Sequence, residues 1–276
     1  MSAFERVVVG LDMHQGAANA VLARACELAE PAHIEAVHAC SVFHHEHHDY
    51  TLGTFETTEA LDAAVRRQAD EYLESICKPR GITKCRVLDG RAAGALHDYA
   101  RQNADLVVVG SHGHHGARAL FASTSNAMIH GTPCDVLAVH IEDEVAHPPP
   151  AYRKVLAAVD LSDESFQVME EANRVALHCG ADLAVCNVSH SSYDPVLNEA
   201  AERLGRLADN YGVGEEDVFE LAGHIGPRVH DLARDIGADL IVVGTHGKQG
   251  LQLLTGSTAN AVLHGSLCDV LAARVH

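Results

Sequence analysis

Apolar and polar positions follow two alternating rhythms along this chain. Short, β-branched runs such as VVVG at 7–10 and LIVV at 240–243 are bounded by polar residues. Between them lie longer stretches in which apolar residues recur every three to four positions, the spacing of one helix face. The pattern predicts strands at 5–11, 34–40, 82–88, 105–110 and 134–140, with helices near 15–30, 57–77, 92–103 and 120–131. In the second half it predicts strands near 153–159, 182–188, 216–221, 239–244 and 268–274. The fourth strand of each half, LVVVG or LIVVG, is continuously apolar, which suits a parallel strand covered on both faces. Asp194-Pro195 reads as an N-cap followed by proline at the first helical position. Strand–helix alternation predicts an α/β fold of doubly wound sheets with right-handed crossovers. Such sheets take ligands beyond the carboxyl ends of their strands, where strand order reverses.

The pattern is written twice. Residues 104–140 match residues 238–274 without a gap, at an offset of 134. RVVVGLD at 6–12 matches KVLAAVD at 154–160, and DGRAAGALHDYAR at 89–101 matches AGHIGPRVHDLAR at 222–234. A period this long is a duplicated domain, since solenoid repeats run about 20–50 residues. The seam falls at three consecutive prolines, 148–150, which favour an extended segment. Domains are expected at 1–144 and 151–276.

Composition narrows the function. The chain has 276 residues, 47% hydrophobic and 21% charged, a balance that excludes disorder and lets each half bury its own core. A net charge of −18 argues against nucleic acid and anionic membranes as partners, because both need clustered Lys and Arg. Protonating all 21 histidines would carry −18 to +3, so the charge responds steeply between about pH 5 and 7. No apolar run approaches a membrane span and the first residues lack a signal-peptide pattern. Eight cysteines without CxxC spacing read as reduced thiols, and a cytoplasmic protein is expected.

Each copy follows its fourth strand with a glycine-bearing loop and a helix. In the second half, Gly244, Gly247 and Lys248 precede Gly256-Ser257-Thr258; in the first, Gly110 and Gly113 precede Ser123-Thr124. Glycines let backbone N–H groups approach an anion, and a helix start adds unpaired N–H groups and a positive dipole end. Lys248 suits a phosphate, and Asp160 with its counterpart Asp12, ending the first strands, suits a base or sugar donor. Tight strand-to-helix turns need the same glycines in any α/β fold, so the loops alone leave both readings open.

GTHGKQG…LTGSTANAVLHGSLCDVLAAR, with its first-half copy GSHG…STSNAMIHGTPCDVLAV, resembles the universal stress proteins, and the resemblance covers both halves. It implies two five-stranded parallel sheets of order 3-2-1-4-5, related by a pseudo-two-fold and paired through their last strands. The chain would then be an intramolecular pseudo-dimer, with a homodimer of chains as a further level. It also implies a small-molecule ligand, ATP or ADP, held through G-x2-G-x9-G-[S/T], which maps onto Gly244, Gly247, Gly256 and Ser257. Eight residues rather than nine separate Gly247 from Gly256, and in the first half Ala122 stands where glycine is expected. The second half is therefore expected to bind more tightly.

The segment VFHHEHHDY at 42–50 carries His44, His45, His47 and His48 in an insertion the second copy lacks. Their i,i+3 and i,i+4 spacings would align imidazoles on one face of a turn, and neutral imidazoles suit Zn²⁺. A solvated polar loop is the plain alternative. His97 and His230, and His130 and His264, recur in both copies and are expected to pack or cap. No G-x-S-x-G elbow, HExxH or Walker A lysine pattern nominates a catalytic residue. The functions in contention are an adenine-nucleotide-binding stress-response protein, a slow ATPase on the same loop, and a zinc-responsive or ligand-free interaction protein using the histidine insertion.

Overall fold

A computed structural model describes residues 2–40, 58–112, 124–129, 131, 134–141, 149–189, 194–246 and 257–275. The first half runs β1 (Val7–Gly10), α1 (Gln15–Leu28), β2 (Ile34–Cys40), α2 (Thr58–Cys77), β3 (Lys84–Asp89), α3 (Ala92–Asn103), β4 (Leu106–His112), α4 (Thr124–Ile129) and β5 (Asp135–Ile141). The second runs β6 (Lys154–Val159), α5 (Ser165–Cys179), β7 (Asp182–Ser189), α6 (Asp194–Asp209), β8 (Val218–Ala222), α7 (Ile225–Ile236), β9 (Leu240–His246), α8 (Ser257–Leu263) and β10 (Asp269–Val275). Helix α6 begins at Asp194 itself, the position the sequence predicts as its N-cap. Helices α5 and α7 stop at Gly180 and Gly237, both left-handed, a conformation that glycine adopts without a Cβ clash.

All ten strands join one sheet, in the order β3-β2-β1-β4-β5-β10-β9-β6-β7-β8. Each half keeps the parallel order 3-2-1-4-5, and the halves meet antiparallel at β5 and β10. Leu137 pairs with Leu271, its own copy at the 134-residue offset, so the pseudo-two-fold passes between them. Val136–Val139 and Val270–Ala273 are buried there, as strands must be when they would otherwise offer an apolar edge. Strands β4 and β9 lie between helices on both faces, and Leu106–Val109 and Leu240–Val243 are shut from solvent.

Polar side chains fix the seam. Asp135 Oδ1 accepts the N–H of Arg274 at 2.8 Å, and Asp269 Oδ1 accepts that of His140 at 2.8 Å, each repeating the other across the pseudo-two-fold. Arg24 donates to Asp269 at 2.6 Å while its guanidinium lies 3.9 Å above the Tyr152 ring. Arg174 lies 4.0 Å above the Phe4 ring and reaches Asp135 at 3.4 Å. Flat, delocalised guanidinium groups suit both contacts. Strand order reverses between β1 and β4, and again between β6 and β9. Reversals of this kind are where doubly wound sheets take ligands.

Candidate functional site

In the first half the chain leaves β1 at Gly10, passes Leu11 and Asp12, and enters α1. The Leu11 N–H donates to the Val37 carbonyl at 2.9 Å, carrying the ladder one residue past the strand. His38, on β2, donates from Nδ1 to the Leu11 carbonyl at 2.8 Å. A carbonyl only accepts, so Nδ1 is the donor in this bond. Asp12 Oδ1 accepts the His14 N–H at 3.0 Å, an Asx-type turn that sets the entry into α1.

These contacts border a cavity of about 290 Å³ lined by Gly10, Asp12, Ala17, His38, Gly110 and Thr124 among others. Its walls are mostly apolar with a few convergent polar groups, the usual make-up of a small-molecule site. At position 10 the fit is close: a Cβ there would stand 2.8 Å from Leu96 Cδ2, so the leucine side chain would have to shift. At position 110 it is looser: a Cβ would meet Ile141 and Val21 at 3.4 and 3.5 Å, ordinary contact.

The second half builds the same turn differently. Asn187 replaces His38 and donates Nδ2–H to the Val159 carbonyl at 2.8 Å. Asp160 Oδ1 accepts from the Ser162 N–H at 3.0 Å, the Ser162 hydroxyl at 2.5 Å and the Ser165 hydroxyl at 3.1 Å. Leu161 follows at φ 58°, and Arg203 of α6 donates to its carbonyl. A Cβ on Gly244 would stand 2.9 Å from Val168 Cγ2. Ser257 opens α8 and Thr258 follows it.

The structure thus gathers Asp12, Gly110 and Thr124 at one cavity. Gly113 and Ser123 of the first loop, Gly247, Lys248 and Gly256 of the second, and His44, His45, His47 and His48 lie outside the described residues. Among the described residues no group of three or more His, Cys, Asp or Glu is arranged to hold a metal. His38 escaped the sequence reading. The signal that could have found it is a polar residue at the end of the second strand in both copies, His38 and Asn187.

His97 and His230 pack as expected, donating from Nε2 to the carbonyls of Gly131 and Val262 at 2.7 Å each. They tie α3 and α7 to the ends of α4 and α8. All eight cysteines are free. Burial pushes the thiols of Cys77, Cys134, Cys179 and Cys186 up to about 12, so none is a ready nucleophile at neutral pH.

A model of the universal stress protein family matches residues 3–140 and 151–274. The chain therefore belongs to that family, with two copies of its domain in tandem. Universal stress protein A homolog 2 of Coxiella burnetii is 36% identical over 140 residues, covering 45% of this chain and 96% of that protein. Universal stress protein Rv2005c of Mycobacterium tuberculosis is 32% identical over 186 residues, 62% of each chain. Among solved structures, a universal stress protein from Archaeoglobus fulgidus superposes with a TM-score of 0.69 at 16% identity, covering 99% of this chain and 98% of that one. That likeness concerns the fold.

Proposed function

We propose that this is a stress-response binding protein whose ligand is an adenine nucleotide, ATP or ADP. The observation that carries the reading is the cavity at the β1–β4 strand-order reversal, where Asp12, Gly110 and Thr124 converge. Its apolar walls suit a base and sugar, and the Asp12 carboxylate suits an amine or hydroxyl donor. The glycine-bearing loops after β4 and β9 suit the phosphates, and Lys248 with Gly256, Ser257 and Thr258 supports that role in the second half. Binding is favoured over turnover because Asp12 and His38 each already anchor a backbone group of the turn. No described helix is long and apolar enough to cross a membrane, and with the acidic charge this supports a cytoplasmic setting.

Calorimetric titration of the full chain with Mg-ATP and Mg-ADP tests the reading. Asp12→Ala removes a hydrogen bond to a charged group, so affinity should fall about 10- to 100-fold. No heat from either nucleotide at millimolar concentration, or equal affinity in the variant, would overturn it. Zinc at the histidine insertion is a separate expectation: deleting 44–48 from tag-free protein should lower its zinc content, and unchanged content would remove the insertion as the site.

A further inference from the structure

We infer that the chain carries a single nucleotide, bound in the first-half crevice, because the turn after β6 has closed the second-half crevice upon itself. The inference rests on the nucleotide reading above. It assigns that ligand to the first half, reversing the expectation that Gly256 and Lys248 make the second half the tighter site, and makes the second half a pairing domain.

Three differences between the copies carry it. The first is the carboxylate. Among the described residues, Asp12 accepts one backbone bond, from His14, and keeps acceptor capacity for a ligand. Asp160 accepts three bonds through one oxygen, two of them from Ser162 and the third from Ser165 at the start of α5. A ligand donor would have to displace these short, local bonds.

The second difference is the backbone. Leu161 is the one described non-glycine residue with positive φ, at 58°. A branched side chain is rarely held there unless its surroundings impose it. Arg203, reaching from α6 to the Leu161 carbonyl, is such a restraint, and it ties the turn to the helix that follows β7. The first-half turn between Asp12 and α1 has no positive-φ residue.

The third difference is space. Ala17 and Ala18 face the first cavity from the opening turn of α1. At the start of α5, Val168 comes within 2.9 Å of where a Cβ on Gly244 would sit, so glycine at 244 is required to admit this helix. Gly110 has no such duty, and its missing side chain borders the cavity. Gly10, also in the lining, is replaced by Ala158 in the second half. Glycines in the loop after β9 speak to phosphates, whereas base and sugar need room beside β6 and α5.

The test uses the full chain. Native mass spectrometry with Mg-ATP should report one nucleotide per chain. Photolabelling with 8-azido-ATP, followed by peptide mapping, should place the label within 11–39 or 88–96. Two nucleotides per chain, or label within 160–189, would overturn the single-site assignment while leaving nucleotide binding intact. A chain that takes up no nucleotide and no label would overturn both.

Discussion

Asp269 shows how much one carboxylate can organise. It is almost wholly buried, which pushes its pKa up, and Arg24, Tyr152 and the His140 N–H oppose that shift. Removing one partner of a buried ion pair leaves the other charge uncompensated. Arg24→Met should therefore cost about 3–5 kcal/mol in urea unfolding. A loss within about 0.5 kcal/mol, the range of ordinary surface changes, would mean the pair is not holding the seam.

Asp135, the symmetric position, faces Glu171 and Arg174 from α5 and the Arg274 N–H from β10. Phe4 stands where Tyr152 stands at the other lock and offers no hydroxyl. Burial and then the Glu171 charge push Asp135 up to about 7, against the pull of Arg274 and Arg174. The folded state then binds this proton more tightly than the unfolded chain does. Its contribution is fully present below about pH 4 and is lost as pH rises through about 7. Asp135→Asn keeps an acceptor for Arg274 but cannot titrate. The stability of wild type relative to this variant should fall from pH 5 to 8. A difference that stays flat or rises would contradict the assignment. Neither lock was legible in the sequence, because Arg24 and Asp269 meet across 245 residues.

At the scale of elements, helix contacts separate two glycines that look alike in sequence. A Cβ on Gly226 in α7 would lie 2.5 Å from the Ala261 carbonyl oxygen of α8, whereas Gly94 in α3 has nothing within 4 Å of its would-be Cβ. Gly226→Ala should destabilise by about 1–3 kcal/mol through overpacking. Gly94→Ala should stabilise by about 0.5–1 kcal/mol through helix propensity. Thermal melts of the two variants should move in opposite directions, and a shared direction would contradict the contact geometry.

Strands and helices were legible because their apolar periodicity is strong and repeated. Strand β4 was expected at 105–110 and is Leu106–His112, and β10 was expected at 268–274 and is Asp269–Val275. The candidate site was only partly legible. Matching copies of RVVVGLD and KVLAAVD drew attention to Asp12 and Asp160 equally. What sets them apart is a left-handed Leu161 and two serine hydroxyls, details of a turn that no periodicity encodes.

For the whole molecule, duplication and continuity matter together. A ten-stranded sheet running through both halves makes each half the cover for the other's last strand. Cut apart between 141 and 149, either half would expose β5 or β10 as an apolar edge. The isolated halves should self-associate in analytical ultracentrifugation, and two stable monomers would contradict the role given to the seam. The sheet leaves two strand-order reversals, and in the single-site proposal one has stayed open for a nucleotide while the other has closed around Asp160.

Hydrogen–deuterium exchange of the full chain with and without saturating Mg-ATP tests that account most directly. Protection should appear in the turn 11–14 and at the end of β2 around 38–40, with 160–165 unchanged. Protection at 160–165 with none at 11–14 would contradict it.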